Sequence, residues 1–456
     1  MHKYTQLLVS TSLTITLAAC GGSSDTSNQD IGSSQNTVNN TSTVSLKTFD
    51  RDNEPYQATV VLHDSEGKAI LTQKLDNTGQ FSAEVPENAK HISIIGYSYS
   101  GFYDNKDHYD RKIYTELNIE QGGSLGNFYF DAPVDNSSVA PPIDCTWVTV
   151  DISELTQVTY DNYSLNYWHA PVHNEDQSTP LTTSSTICFD PTKNSNKTML
   201  FTLTSNDGSY SKGALITLDE SATSYQLTNE SFTHDGILVQ PELSTSANEF
   251  RTISYIEHDF NKITAQPIKT SINNLNPIFV YPTITEHNML TQYGDDSLDS
   301  NGVRINLHTQ SRSYINSDGQ VELNELPESL HSLSDDIINL TQSQSLNYDF
   351  SHIDERFSQA RWSFRFKVRD EYADWSIRGP ISANIPDLAF GDAFPTPTEE
   401  IQFSSMEIQL FGYVGGPKDY AQFRAFLNQR KPNSAFLTQP EYRQYVSSSM
   451  WISVNN

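Results

Sequence analysis

The sequence predicts a mainly β protein: tandem antiparallel β-sandwich domains with a few short helices in the C-terminal part. Two observations carry this. Short runs rich in Val, Ile, Thr, Tyr and Phe follow one another, separated by Asp, Asn, Ser and Gly clusters that suit tight turns. Apolar residues at helical spacing are confined to a few segments after residue 320, and no fixed-period repeat indicates a propeller or solenoid.

A chain of 456 residues is long enough for two to four domains, because single cores stop growing at roughly 250 to 300 residues. Asp and Glu total 56 against 28 Lys and Arg, a net charge of -28. That balance argues against nucleic acid as a partner, since neutralising phosphates needs a basic surface. It also argues against lying flat on an anionic bilayer. Solubility is the plain reason for so many carboxylates.

The chain opens with Lys3 and an apolar run holding Leu7, Leu8, Val9, Leu13, Ile15 and Leu17, too short to span a bilayer. It ends at Leu17-Ala18-Ala19-Cys20, which resembles the lipobox of bacterial lipoproteins. The resemblance implies a signal peptide over 1–19, cleavage before Cys20 and lipid on its sulfur, so that acyl chains are the membrane partner. Gly21, in a place where aspartate would imply inner-membrane retention, points by the same resemblance to the outer membrane of a Gram-negative bacterium. Residues 20–43 are nearly devoid of apolar side chains and read as a flexible tether. As a coil it would hold the first domain on the order of 25 to 30 Å from the lipid.

Residues 44–132 predict a small sandwich. Its strands are expected at Thr59 to Leu62, Ala69 to Leu75, Phe81 to Val85, Ile92 to Tyr99, Ile113 to Ile119 and Phe128 to Phe130, with turns at Asp64 to Gly67 and Asp76 to Gly79. Asp52 to Pro55, Ala58 to Val60, the Asp76 to Gly79 turn before Phe81, Val85-Pro86 and Ile94 to Tyr97 together resemble the carboxypeptidase regulatory-like domain, a transthyretin-like sandwich. That resemblance covers about a fifth of the chain and implies a structural or spacing module without catalytic residues. Ser98 to Asp110 reads as an insertion relative to it.

Residues 133–144, with Val139-Ala140-Pro141-Pro142, predict a stiff connector, followed by a second β domain over 145–250 and a C-terminal β-rich domain over 251–456. Within the last, Leu326, Leu330, Leu333, Ile337 and Leu340 predict a helix near 326–342. Tyr420, Phe423, Phe426 and Leu427 predict another near 418–430, and Thr438 with Glu441 a last short helix through Val446. Once lipid takes Cys20, Cys145 and Cys188 remain as a pair in an oxidising compartment and predict a disulfide. Closing that loop would contribute about 4 kcal/mol on the chain-entropy account.

Four constellations bear on chemistry. Gly122-Gly123-Ser124-Leu125-Gly126 matches a hydrolase nucleophile elbow, but a strand rather than a helix is expected after Ser124, so a hairpin turn is the reading. His169 and His173 stand four apart beside Glu175 and Asp176; Pro171 between them argues against the helix that would aim both rings at one metal, leaving a loop site as the metal reading. The acidic turns Asp295 to Gly302 and Asn316, Asp318, Gly319 and Glu325 miss the EF-hand ligand pattern and leave only a looser, structural Ca²⁺ as a candidate cofactor. In the run Arg361 to Arg369, Trp362, Phe364, Phe366 and Val368 alternate with Arg361, Arg365, Lys367 and Arg369. The basic row is either a solvated face paired with neighbouring carboxylates or an anion-binding face for an acidic glycan, phosphate or protein.

Three functional readings stand. The leading one is a non-enzymatic, lipid-anchored envelope protein that binds or scaffolds a glycan or protein partner. A polysaccharide-acting hydrolase or lyase in the C-terminal β domain would need a pair of carboxylates that leaves no sequence signature. A calcium-stabilised adhesin is the third.

Overall fold

The computed structural model describes residues 42–454, with breaks at 52, 104–105, 132–143, 152–162, 168–169, 174–181, 190–196, 206–207, 219–223, 240–243, 245, 256–267, 272–277, 286, 301–302, 334–345, 369–370, 395–400 and 432–434. The leader, the tether up to residue 41, the connector up to residue 143, His169 and Arg369 lie outside the described residues. What is described is mainly β, as the sequence predicts.

The first seven strands are β1 (Thr43–Phe49), β2 (Thr59–His63), β3 (Ala69–Lys74), β4 (Gln80–Glu84), β5 (His91–Tyr103), β6 (Lys106–Glu116) and β7 (Gly123–Tyr129). Turn chemistry places them as expected. Asp76 accepts from the Thr78 amide at 2.9 Å and Gly79 supplies the positive φ of 61° that closes the turn into β4. The sheet β4-β1-β7 packs on β2 and β5 through Val44, Leu46, Phe81, Leu125, Phe128, Val60, Leu62, Ile92 and Ile94. Gly96 allows this closure, because a Cβ there would lie 2.3 Å from the Phe130 ring. Ser98 to Asp110, expected as an insertion, lengthens β5 and β6 into one long hairpin.

The middle of the chain supplies β8 (Asp144–Asp151), β9 (Tyr163–Tyr167), β10 (Ala170–His173), β11 (Thr182–Phe189), β12 (Lys197–Ser205), β13 (Ser211–Leu218), β14 (Ser224–Gln226) and β15 (His234–Asp235). They form the sheets β10-β9-β12-β13-β15 and β11-β8-β14. Then come β16 (Ile237–Val239), β17 (Glu249–Tyr255), β18 (Ile268–Ser271), β19 (Ile278–Val280), β20 (His287–Ser300), β21 (Val303–Ile315) and β22 (Val321–Glu322). The remaining strands are β23 (Leu346–Asp349), β24 (Gln359–Val368), β25 (Glu371–Gly379), β26 (Ser382–Ile385), β27 (Ile401–Tyr413) and β28 (Tyr445–Val454).

One sheet runs across the sequence-defined boundaries. Its order is β18-β17-β20-β21-β28-β27-β24-β25-β6-β5-β2-β3, with β22 on β21. The junction is a parallel pairing of β25 with β6, from Ala373 opposite Arg111 to Arg378 opposite Glu116; the other pairings along this order are antiparallel. Strands expected in separate N- and C-terminal domains therefore share a sheet. The physical reason is that β2, β5 and β6 bury both faces: Val61, Ile95 and Ile113 pack with Phe366, Ala373, Leu388 and Phe390 on the side away from β1.

On that same side Trp362, Ile377, Ile408, Met450 and Leu307 form a core covered by Leu330, Tyr348, Phe350, Phe357 and Ile385. On the opposite side two covers are seen among the described residues. The small β4-β1-β7 sheet covers one end, and α1 (Tyr420–Asn428) lies beside it, Asn428 donating to the Ser124 carbonyl at 2.6 Å. Phe423, Phe436, Leu437 and Tyr442 cover Tyr413 and Met289 further along.

One helix expectation is corrected, and another lies about half outside the described residues. The segment near 326–342 is irregular up to a 3₁₀ turn at Leu330–Leu333, with 334–342 outside the described residues. Its backbone groups bond to distant partners instead of their own i−4 neighbours: the Leu326 amide donates to Ser244 Oγ at 3.0 Å, and the Glu325 carbonyl accepts from Arg356 at 2.8 Å. The last helix is two 3₁₀ turns, Ala435–Thr438 and Pro440–Tyr442, and from Tyr445 the chain is β28, because sheet pairing on both sides outweighs a capping box. The expected helix near 418–430 is α1, capped by Asp419, whose carboxylate accepts from the Gln422 amide at 2.9 Å.

Candidate functional site

Opposed residues on neighbouring strands share a face, so the register defines the site. Arg365 lies opposite Asp374, and Asp374 opposite Lys112. Ser363 lies opposite Glu407, and Glu407 opposite Trp451. This polar row crosses five strands on the side of the sheet left open between the small sheet and the Tyr413 cluster. Between the strands sits an open groove of about 290 Å³, walled by Tyr114, Lys112 and Arg365 at one end and by Glu407 and Trp451 at the other.

Arg361, Arg365 and Lys367 of the basic row expected from sequence are here, and the two arginines are matched by carboxylates. Arg361 pairs with Glu407 at 3.1 Å. Arg365 reaches Asp110 at 3.1 Å and Asp374 at 3.7 Å. Arg365 and Lys367 flank the Tyr372 ring at 5.5 and 5.6 Å from its centroid. Burial pushes the Asp374 carboxyl above its ordinary pKa, Arg365 opposes that, and Asp110 reinforces it. Asp110 itself is buried at 7 % exposure, so Arg365 is held from below by a fixed acceptor.

Trp451 is the residue sequence reasoning passed over. It stands between Met450 and Ile452, which are buried on the core side, and is itself 47 % exposed, more than any other large apolar residue among those described. A signal existed: in Val446-Ser447-Ser448-Ser449-Met450-Trp451-Ile452, the indole falls out of phase with the apolar positions, and small serines flank it. Lys112, Asp374 and Glu407 carried no such mark, since only the pairing of β6 with β25 and of β24 with β27 brings them together.

The chain matches no protein-family model, no curated protein and no solved structure. The geometry of the sheet therefore carries the functional argument by itself.

The other candidates are dispersed. Ser124 lies within β7, which pairs in parallel with β1 and not with β6, so the hairpin turn expected there is corrected; Ser124 accepts from the Gly126 amide at 3.2 Å and is followed by strand, without the helix a nucleophile elbow needs. Ala170–His173 is strand at a sheet edge, where Pro171 costs no ladder bond on its outer side. Asp318 tips a turn whose donors are used internally, Asn316 Oδ1 accepting from the Asp318 and Gln320 amides at 3.0 and 2.9 Å, while Glu325 belongs to the stretch held by Arg356. Asp295 to Asp299, expected in a turn, is part of strand β20, with Asp295 paired to His308. Among the described residues no three His, Cys, Asp or Glu side chains converge as a metal site. Cys145 and Cys188 occupy directly opposed positions on β8 and β11.

Proposed function

We propose that this chain is an exported envelope protein, anchored by lipid at Cys20, that binds a ligand on the open face of its long sheet. The observation that carries the reading is the groove itself. A polar row with an exposed indole lines an open groove on a sheet whose other side carries the packed core around Trp362, Ile377, Ile408 and Met450. A flat, rigid sheet face suits recognition, because its side chains are held by strands paired on both sides and lose little freedom on binding. The lipobox-like Leu17 to Cys20 and the polar stretch behind it supply the anchor and spacer.

Cys20→Ala is expected to move the protein from the membrane fraction to the soluble fraction of cells and to abolish incorporation of labelled fatty acid. Tight membrane association that survives the substitution would place the anchor elsewhere.

The opposed positions of Cys145 and Cys188 favour a cross-strand disulfide, since directly opposed Cα atoms lie roughly 4.5 to 5.5 Å apart, within the range a disulfide spans. Thiol titration of the denatured, unreduced protein is expected to find neither cysteine reactive. Two reactive thiols would remove the bridge.

A further inference from the structure

Resting on that reading, we propose that the ligand of the groove is a neutral glycan, laid across the sheet with a sugar ring stacked on Trp451. Charge decides against an acidic or basic ligand. Lys112 and Arg365 face Asp374 and Glu407 within the groove, and Arg365 and Arg361 are already matched by Asp110, Asp374 and Glu407. A charged ligand would have to break those pairs; an uncharged one inserts among them. Alternating carboxylates and guanidinium groups offer acceptors and donors side by side, and each sugar hydroxyl is both donor and acceptor.

Aromatic placement points the same way. Trp451 presents its indole to solvent beside small serines at 447, 449 and 453, which leave its ring standing above the sheet surface. Tyr372, at 39 % exposure, is a second exposed ring on this face and lies beside the Arg365 and Lys367 cations. Trp451, Glu407, Ser363 and Ser376 are successive partners across four strands, and Tyr372 lies four residues along from Ser376. Strand spacing and rise then separate the two rings by roughly 20 Å along a diagonal. Arg365 and Asp374 lie on that diagonal. The path holds several sugar units, with an aromatic platform toward each end and hydrogen-bonding pairs between.

The test is affinity electrophoresis of the purified full-length protein through gels containing xylan, hydroxyethyl cellulose, galactomannan or amylose, with alginate and polygalacturonate as acidic counterparts. At least one neutral polysaccharide is expected to retard the protein. Its Kd should rise at least tenfold in Trp451→Ala and in Tyr372→Ala, and stay unchanged in Tyr129→Ala and Tyr210→Ala, which remove rings exposed elsewhere. Thermal denaturation of each variant separates lost binding from lost folding. The glycan assignment is overturned if no neutral polysaccharide binds more tightly than about 1 mM, or if Trp451→Ala binds as well as the parent. Retardation by an acidic polysaccharide alone, abolished in Arg365→Ala, would also overturn it while leaving a ligand-binding face in place. Binding to isolated cell envelopes that persists in the triple variant lacking Trp451, Tyr372 and Arg365 side chains would instead overturn the broader reading of this face.

Discussion

Replacing Glu116 by alanine is expected to destabilise the protein by about 3 kcal/mol, the lower end of the cost of breaking a buried ion pair. Glu116 ends β6, and its side chain is almost fully enclosed. Arg378 of β25 contacts it at 2.5 Å, and the Tyr420 hydroxyl of α1 donates to its second oxygen at 2.7 Å. The Arg378 contact is an ion pair between guanidinium and carboxylate. Burial by itself would lower the Arg378 pKa; the charge of Glu116 overcomes that and leaves it raised. Burial and the same carboxylate push the Tyr420 phenol well above its ordinary value.

Arg424 lies against the Tyr420 ring at 5.1 Å and reaches the Gly122 carbonyl at 3.4 Å, so loss of Glu116 would leave Arg378 without its carboxylate close to a second cation. About a third of the Arg378 side chain still reaches solvent, 31 %, which is why the lower end of the range applies. Equilibrium unfolding in guanidinium chloride measures the effect. Glu116→Gln should fall between wild type and Glu116→Ala, since the amide oxygen still accepts from Tyr420. A loss below about 1 kcal/mol, the value of an exposed pair, would show that the cluster is solvated.

Acidification should loosen the N-terminal sandwich. His63 is fully buried, with its ring nitrogens 3.2 Å from the Gly67 carbonyl and 2.9 Å from Ser93 Oγ. His91 is 5 % exposed and accepts from the Asn118 amide at 3.4 Å. Burial is the first cause in both cases and lowers each pKa from 6.5 to about 4. His91 lowers His63 further and Lys90 lowers His91, whereas Asp64 and Glu120 oppose the shift without cancelling it.

The unfolded chain takes up these protons near pH 6.5 and the folded chain near pH 4. Their contribution is therefore fully present above pH 6.5 and is lost as the pH falls through about 4. At full loss each histidine accounts for about 3 kcal/mol. Carboxylates titrate in the lower part of the same window, so the readout is a difference: stability against pH for wild type and for His63→Gln, which should show the shallower dependence. Equal slopes would remove the assignment.

The strands of the first sandwich and their turns were legible because alternation and Asp-Gly chemistry are local signals. Val60-Val61-Leu62 held more than alternation, since an unbroken apolar run marks a strand buried on both faces, and all three residues are fully enclosed. That run announced a second layer without saying which part of the chain would supply it. The run from Arg361 to Arg369 was legible as a two-faced strand, and Trp362 and Phe366 are indeed buried. Its charge partners were not legible, because Asp110 stands 255 residues away and meets Arg365 only through the parallel junction.

By itself the sequence determined the β character of the chain, the turns of its first sandwich and the faces of its central strands, since these follow from residues a few positions apart. Tertiary structure alone decided that β6 joins β25, that segment 323–329 stays irregular, and that Trp451 shares a groove with Glu407, Arg365 and Asp374. Strand pairing between distant segments is selected by total burial and hydrogen-bond closure over the whole sheet, quantities that no short stretch of sequence contains.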